Sequence, residues 1–262
     1  MRWSVVMPVY NEAAYLPRAL ASLAAQTRKF RLIVVDNGST DGSGDIARRL
    51  LARFGLDGIV VAESKPGPVP ALARGMREVR SEFVATCDAD TTYPRHYLAV
   101  AERLLDEKAD AAVASAYYLA PAASWPRRIA SAVYQLAVNL LLPRQAHTGG
   151  AGQCFRVAAL DAAGGYDASV WPYVLADHEI INRVLRHGRQ VWHRTFWCLP
   201  SDRRGDLNAV RWSLAERLLY HATPFALQDR YFRDFLSKRL ASRGLDSARL
   251  RERDWGGTEC GA

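Results

Sequence analysis

The chain has no apolar run approaching the ~20 residues of a membrane-spanning helix, so its 262 residues do not read as a bilayer-embedded protein. The apolar stretch near the N-terminus stops at Pro8, which is too short for the core of a secretory signal. Cysteine is sparse: Cys87, Cys154, Cys198 and Cys260 stand far apart without a C-x-x-C pair. That spacing argues against a zinc knuckle and a disulfide framework, and it fits a reducing, cytoplasmic setting. No G-x-G-x-x-G opens the first helix, which argues against a dinucleotide oxidoreductase. Internal repeats and low-complexity tracts are missing as well.

What is there suits a globular α/β chain. Hydrophobic residues make up 49% of the sequence, enough for the core of one large domain or two small ones. A net charge of +8 favours polyanionic partners such as nucleotide diphosphates, nucleic acid or an anionic lipid surface, without choosing among them. Short β-branched runs predict strands at 3–7, 31–36, 58–63, 83–88 and 110–117. Amphipathic stretches between them predict helices at 14–26, 45–54, 71–80 and 95–106. That alternation implies βαβ units and a mostly parallel sheet, whose ligands bind beyond the carboxyl ends of the strands. Loops 9–12, 37–44 and 89–94 are therefore expected to share one site.

The pattern changes after Tyr118. A linker at 119–126 leads to an amphipathic helix at 127–142 and a Gly-rich stretch at 147–152. A strand at 153–156, a helix with Asp177 near its start, a strand at 191–196 and a basic helical tail from about 207 follow. The stripe Ile129, Val133, Leu136, Leu140 and Leu141 reads as core-facing, or as an interfacial helix with Arg127, Arg128 and Arg144 as basic flanks. From Arg203 onward there are 12 Lys/Arg and 8 Asp/Glu, a balance compatible with an anionic membrane.

Two segments carry chemistry on their own terms. Asp88-Ala89-Asp90 follows the buried run 83–87, and in extended geometry its two carboxylates point to one side. Like charges so placed repel unless a cation intervenes, so the pair reads as a divalent-metal and diphosphate site, or else as a solvated acidic turn. Asp36-Asn37-Gly38-Ser39-Thr40-Asp41-Gly42 also ends an apolar strand. It reads as an Asx/Gly turn capping the next helix, or as Asp36 and Asn37 bonding the edge of a nucleotide base.

Val5-Val6-Met7-Pro8-Val9-Tyr10-Asn11-Glu12, then the segment from Val34 to Gly42, then Asp88-Ala89-Asp90-Thr91 with Pro94, stand in an order and spacing that resembles the family 2 glycosyltransferases. The resemblance runs from about Ser4 to Trp212. It implies a GT-A fold: a Rossmann-like, mostly parallel sheet flanked by helices, with an acceptor-binding half and a helical C-terminal extension. It also implies inverting transfer from a nucleoside-diphosphate sugar with Mn2+ or Mg2+. By the same resemblance Pro8, Tyr10, Glu12, Asp36 and Asn37 hold the nucleoside, Asp88 touches the ribose, and Asp90, with Asp88, ligates the metal. Asn37 departs from the family's usual second aspartate. Leu72 and Ala73 stand where relatives carry Arg-Asn ahead of the position of Gly75, leaving Arg74 or Lys65 to meet a phosphate.

The second half resembles the family's acceptor side through the segments 149–156 and 164–167, then Asp177-His178-Glu179 with Arg183. Relatives show Glu-Asp where Ala176-Asp177 stands, so the resemblance makes Asp177 the catalytic base; read alone it is a carboxylate favoured at a helix N-terminus. Gly150, Gln153 and His178 become acceptor contacts, ahead of His147 and His193. Asn208-Ala209-Val210-Arg211-Trp212 resembles a Q-x-x-R-W motif, in which Trp212 stacks on an acceptor sugar and Arg211 meets a phosphate; otherwise Trp212 is core.

The expected organisation is a nucleotide-sugar-binding half at 1–118, an acceptor-binding half at 119–206 and a basic extension at 207–262. The expected acceptor is a saccharide or lipid-linked hydroxyl, and the expected location is the cytoplasm, peripheral at the inner face of the membrane. Two rivals remain. A sugar-phosphate nucleotidyltransferase lacks its G-x-G-T-R-L type loop here, where 9–12 stands instead. A non-catalytic membrane- or nucleic-acid-binding module requires a continuous basic face.

Overall fold

The structure, a computed structural model, describes residues 1–119, 149–201 and 212–250, with the single positions 129, 133, 138, 141, 142, 144 and 145. The linker after Leu119, most of the expected 127–142 helix, His147, Arg211 and the end from 251 lie outside the described residues. Seven strands form the central sheet: β1 (Trp3–Val9), β2 (Phe30–Asp36), β3 (Gly58–Ala62), β4 (Phe83–Thr86), β6 (Ala111–Ser115), β8 (Gln153–Arg156) and β9 (Arg189–Val191). Their order is β3-β2-β1-β4-β8-β6-β9. All run parallel except β8, which is antiparallel to both β4 and β6. A three-stranded sheet sets β10 (Trp197–Pro200) between β5 (Thr91–Thr92) and β7 (Tyr117–Tyr118).

Helices cover both faces of the large sheet, so its strands are apolar on both sides. Val5, Met7, Val9, Leu32 and Val34 pack one way, with Leu16, Leu20 and Leu23 of α1 (Leu16–Ala24) and with α2 (Ser43–Phe54) and α4 (Tyr97–Asp106). Val6, Ile33 and Val35 pack the other way, with α3 (Pro68–Met76), α5 (Val157–Ala162) and α6 (Ala176–Val184). Each buried Leu or Val of these layers contributes about 1.5–3 kcal/mol. A third cluster, including Trp171, Tyr220, Phe232, Leu236 and Leu240, packs α7 (Leu214–Ala222) against the later helical run 228–242. There the buried carboxylate of Glu216 closes a capping box with Ser213 and accepts hydrogen bonds from Arg239 and Arg243 at 2.9 Å.

Three sequence expectations change. The strand expected at 83–88 ends at Thr86, because the Asp88 N–H donates to the buried Tyr93 hydroxyl (2.8 Å) and the chain turns; Asp88 and Asp90 flank that turn instead of lying on an extended strand. The strand expected at 191–196 is, beyond Val191, the connection between two strands. The Phe196 N–H donates to the His193 carbonyl (2.8 Å), so the chain leaves the large sheet at Val191 and joins the small one at Trp197. Of the stripe on 127–142, the described members Ile129, Val133 and Leu141 are 52%, 60% and 78% exposed, so these three do not face a core.

Candidate active site

Strand order reverses between β1 and β4, and the crevice beyond their carboxyl ends is where open α/β sheets bind ligands. Val9 lies in register with Asp36, so the loops after β1 and β2 leave the sheet at one level. Pro8 and Val9 end β1, Tyr10 follows half-buried, and Asn11 takes a left-handed φ of 53°. The two loops are bound together. The Thr40 N–H donates to Asn11 Oδ1 (2.8 Å), the Glu12 N–H to Ser43 Oγ (2.8 Å), and the Ala13 N–H to Asp41 Oδ2 (2.9 Å). Burial alone would raise the Asp41 carboxyl, but hydrogen bonds from the Ser43 hydroxyl and from the Ala13 and Ser43 amides hold it below its ordinary value.

Asp36 accepts the Ser39 N–H at 2.9 Å and rests on Gly44, where a Cβ would stand 2.3 Å from its second oxygen. Asn37 turns the other way and is 3% exposed. Its amide donates to the carbonyls of Glu63 (2.9 Å) and Lys65 (2.7 Å), and its oxygen accepts the Gly67 N–H (2.8 Å). A carboxylate cannot make those two donations, which gives the amide at this position a physical reason. Arg74 is paired with Glu78 at 2.7 Å, and Lys65 is exposed.

Asp88 and Asp90 sit half-buried on the turn after β4. Asp90 is oriented by Ser201, whose hydroxyl donates to Oδ2 at 2.9 Å and whose N–H donates to the Asp90 carbonyl at 3.0 Å. Among the described residues no group of three or more His, Cys, Asp or Glu forms a protein-only metal cage. A hard cation that takes one or two carboxylates and fills its remaining positions with diphosphate oxygens and water needs none, so this donor set fits such an ion. The thiols nearby are not competitors: burial raises Cys87 and Cys198 well above the usual thiol range.

Asp177 is the second residue of α6, whose N-cap is Leu175 at φ 64°. Asn11 and Leu175 are the non-glycine residues with positive φ among the described residues, and both adjoin this crevice; such strain costs of order 1–3 kcal/mol and gathers at functional sites. A Cβ on Gly149 would stand 2.7 Å from the Tyr118 hydroxyl and 3.3 Å from Asp177 Oδ2, so these two groups meet over one α-carbon. Gly150 approaches the Asp177 Cβ from the same side, and the buried Gln153 amide donates to the Asp177 carbonyl at 3.4 Å. Tyr118 is 37% exposed, yet its hydroxyl end is withdrawn from water, and that desolvation, followed by the charges of Asp88, Cys198 and Asp177, raises it well above its ordinary value. Glu179, by contrast, is locked in a fork with Arg183 at 2.7 and 2.9 Å.

His178 packs edge-on to Trp212 (ring centroids 5.1 Å) and to Tyr220 (6.1 Å). Burial lowers its pKa, Asp177 opposes that, and Arg217 adds to it. Trp212 also leans on Tyr220 (4.8 Å) and stacks on Tyr231 (6.0 Å). Sequence reasoning passed over Tyr118, Ser201 and the bracing role of Asp41. Tyr118 sits at the end of β7, so the rule that drew attention to Asp36 and Asp88 at strand ends was the available signal.

The family model described as glycosyl transferase family 2 matches residues 4–161. The undecaprenyl-phosphate 4-deoxy-4-formamido-L-arabinose transferase of Pseudomonas paraeruginosa is 35% identical over 96 residues, covering 35% of this chain and 28% of that protein. Matches cover 32% and 38% of the length of two other curated relatives, so the chain spans well under half of such proteins. Among solved structures, S. aureus TarS 1-349 in complex with UDP-GlcNAc superposes with a TM-score of 0.66 at 20% identity, covering 92% of this chain and 73% of that one. The mannosyltransferase PcManGT from Pyrobaculum calidifontis, in complex with GDP-Man and Mn2+, gives 0.68 at 23% identity, covering 84% and 62%. These likenesses establish a GT-A fold, and with more than half of its length matched by the family model, the chain belongs to glycosyl transferase family 2.

Proposed function

We propose that this chain transfers a sugar from a nucleoside-diphosphate sugar to a hydroxyl of a saccharide or lipid-linked acceptor, with inversion at the anomeric carbon. The observation that carries the reading is the placement of Asp88 and Asp90 on the turn after β4, at the sheet's switch point, together with the Asp177 carboxylate and Tyr118 hydroxyl that meet over Gly149. The half at 1–118 holds the donor: Asp36 and the braced loops 9–13 and 37–43 cradle the nucleoside. Asn37 acts through the loop 63–67 that it fastens. Asp88 and Asp90 hold Mn2+ or Mg2+, which when bound with the diphosphate offsets its negative charge. The half at 119–206 presents the acceptor, with Gly150, Gln153 and His178 forming its floor, completed by Trp212 of the extension.

Asp177 accepts the proton of the acceptor hydroxyl as that oxygen bonds to the anomeric carbon. The bond from that carbon to the diphosphate oxygen breaks on the opposite face, and the nucleoside diphosphate leaves with the electron pair. A hydroxyl is a poor nucleophile until its proton is being removed, and a positioned base contributes about 10²–10⁴-fold. Tyr118, kept protonated, donates a hydrogen bond into the same space. Replacing Asp177 by Asn should preserve donor binding and lower turnover by about that factor. Undiminished turnover in Asp177→Asn contradicts the assignment.

A further inference from the structure

Helix α7 is amphipathic in the inverted sense. Its polar side chains Glu216, Tyr220 and His221 face the protein, where Glu216 and Tyr220 are buried, while Leu214, Leu218 and Leu219 are 74%, 61% and 42% exposed. Leu227, just beyond, is 47% exposed. Between positions 214 and 230 every fully exposed residue is apolar or arginine, the arginines being Arg217 and Arg230. The two acids of that stretch do not offset them: Glu216 is buried, and Asp229 is half-buried in bonds to Asn182 (2.8 Å) and Arg186 (3.0 Å). The exposed Leu141 shares with Ala222 and Pro224, and with Arg144, Gln145 and His221, the lining of a cavity of about 490 Å³ beside α7, where the face becomes mixed apolar and basic. Contiguous exposed apolar surface marks an interaction site, whereas isolated exposed leucines do not.

We infer that this face docks on an anionic lipid bilayer. Arginine at the rim of an apolar helix face is the arrangement of an interfacial helix, with leucines among the acyl chains and cations at the anionic headgroups. A second copy of the chain fits less well, since a two-fold interface through α7 sets the same Arg217-bearing surface against itself. The inner side of α7 reaches the crevice. Tyr220 contacts His178, the neighbour of Asp177, so one helix diameter, about 10–12 Å, separates the docked face from the helix that carries the base. Docking there delivers a lipid-linked acceptor to Asp177. This last link rests on the proposed transfer reaction; bilayer binding itself does not.

The test is co-sedimentation of the full chain with vesicles of mixed phosphatidylglycerol and phosphatidylethanolamine, against vesicles of phosphatidylcholine alone. Wild type should sediment with the anionic vesicles. The triple variant Leu214→Ser, Leu218→Ser, Leu219→Ser should bind them at least about tenfold more weakly. The single variant Leu218→Ser, at a site 61% exposed, should fall between, and Arg217→Glu should weaken anionic binding selectively. Nucleoside-diphosphate binding measured without vesicles should match wild type in every variant, which separates failure of docking from failure of the transferase reading. Wild type that ignores the vesicles, or leucine variants that sediment like wild type, would overturn the inference. So would a wild-type dimer that the leucine variants abolish without any vesicle binding.

Discussion

The Tyr118 hydroxyl and the Asp177 carboxylate meet over the α-carbon of Gly149, within 2.7 and 3.3 Å of where a Cβ would stand. A methyl group at 149 must push the Tyr118 hydroxyl aside, and that hydroxyl is the proposed donor beside Asp177. Tyr118→Phe keeps the ring and removes the bond; the expected loss is about tenfold in kcat, the worth of one hydrogen bond, with donor affinity unchanged. Gly149→Ala should cost more. Steady-state kinetics with each variant check this, and kcat equal to wild type in both would remove Tyr118 from the site.

Asn37 fastens the loop at 63–67 through two donated bonds and one accepted bond. Asn37→Asp sets a carboxylate against the carbonyl oxygens of Glu63 and Lys65 at positions now 2.9 and 2.7 Å away. For a buried group the expected cost is about 2–3 kcal/mol, with amide hydrogen exchange speeding up first in this loop. Denaturant unfolding and exchange on the variant test this. Unchanged stability together with unchanged protection of 63–67 is the contrary result.

His178 is half-buried among aromatic rings and its pKa is lowered by that desolvation, so the folded chain takes up a proton at lower pH than the unfolded chain does. Stability contributed in this way is complete above the unfolded pKa of about 6.5 and is lost as pH falls below it, by up to about 1.4 kcal/mol per pH unit. His221 shifts in the same direction, its burial being the main cause, so two groups act together. His178→Phe preserves an aromatic ring against Trp212 and removes one titration. Unfolding free energy measured from neutral to mildly acidic pH should fall less steeply in the variant, and an identical slope would show that His178 does not titrate with folding.

The donor end of this site was legible because it depends on local pattern. Apolar strands followed by Asp36 and Asp88 announce strand ends, and strand ends in an open sheet share a rim. The orientation of Asn37 was not, since its partners lie 26 to 30 residues onward and only the folded loop supplies them. Tyr118 looks like any aromatic in a short strand until Gly149 is brought beside it. Helix α7 shows the limit of periodicity: Leu214, Leu218 and Leu219 define a face, but the side on which the protein lies depends on the buried Glu216 and its partners Arg239, in a later helix, and Arg243, just beyond that helix. The break in the expected strand at 191–196 came from a turn at His193 that apolar content does not reveal.

The central claim is that Asp88 and Asp90 hold a divalent cation jointly with a nucleoside diphosphate. Calorimetric titration of UDP and GDP into the protein, with and without Mn2+, tests it without needing the acceptor. Binding of one of the two should depend on Mn2+ and disappear in Asp90→Ala, while the folded state is retained. Binding of equal strength without metal, or in Asp90→Ala, would contradict the assignment of these carboxylates.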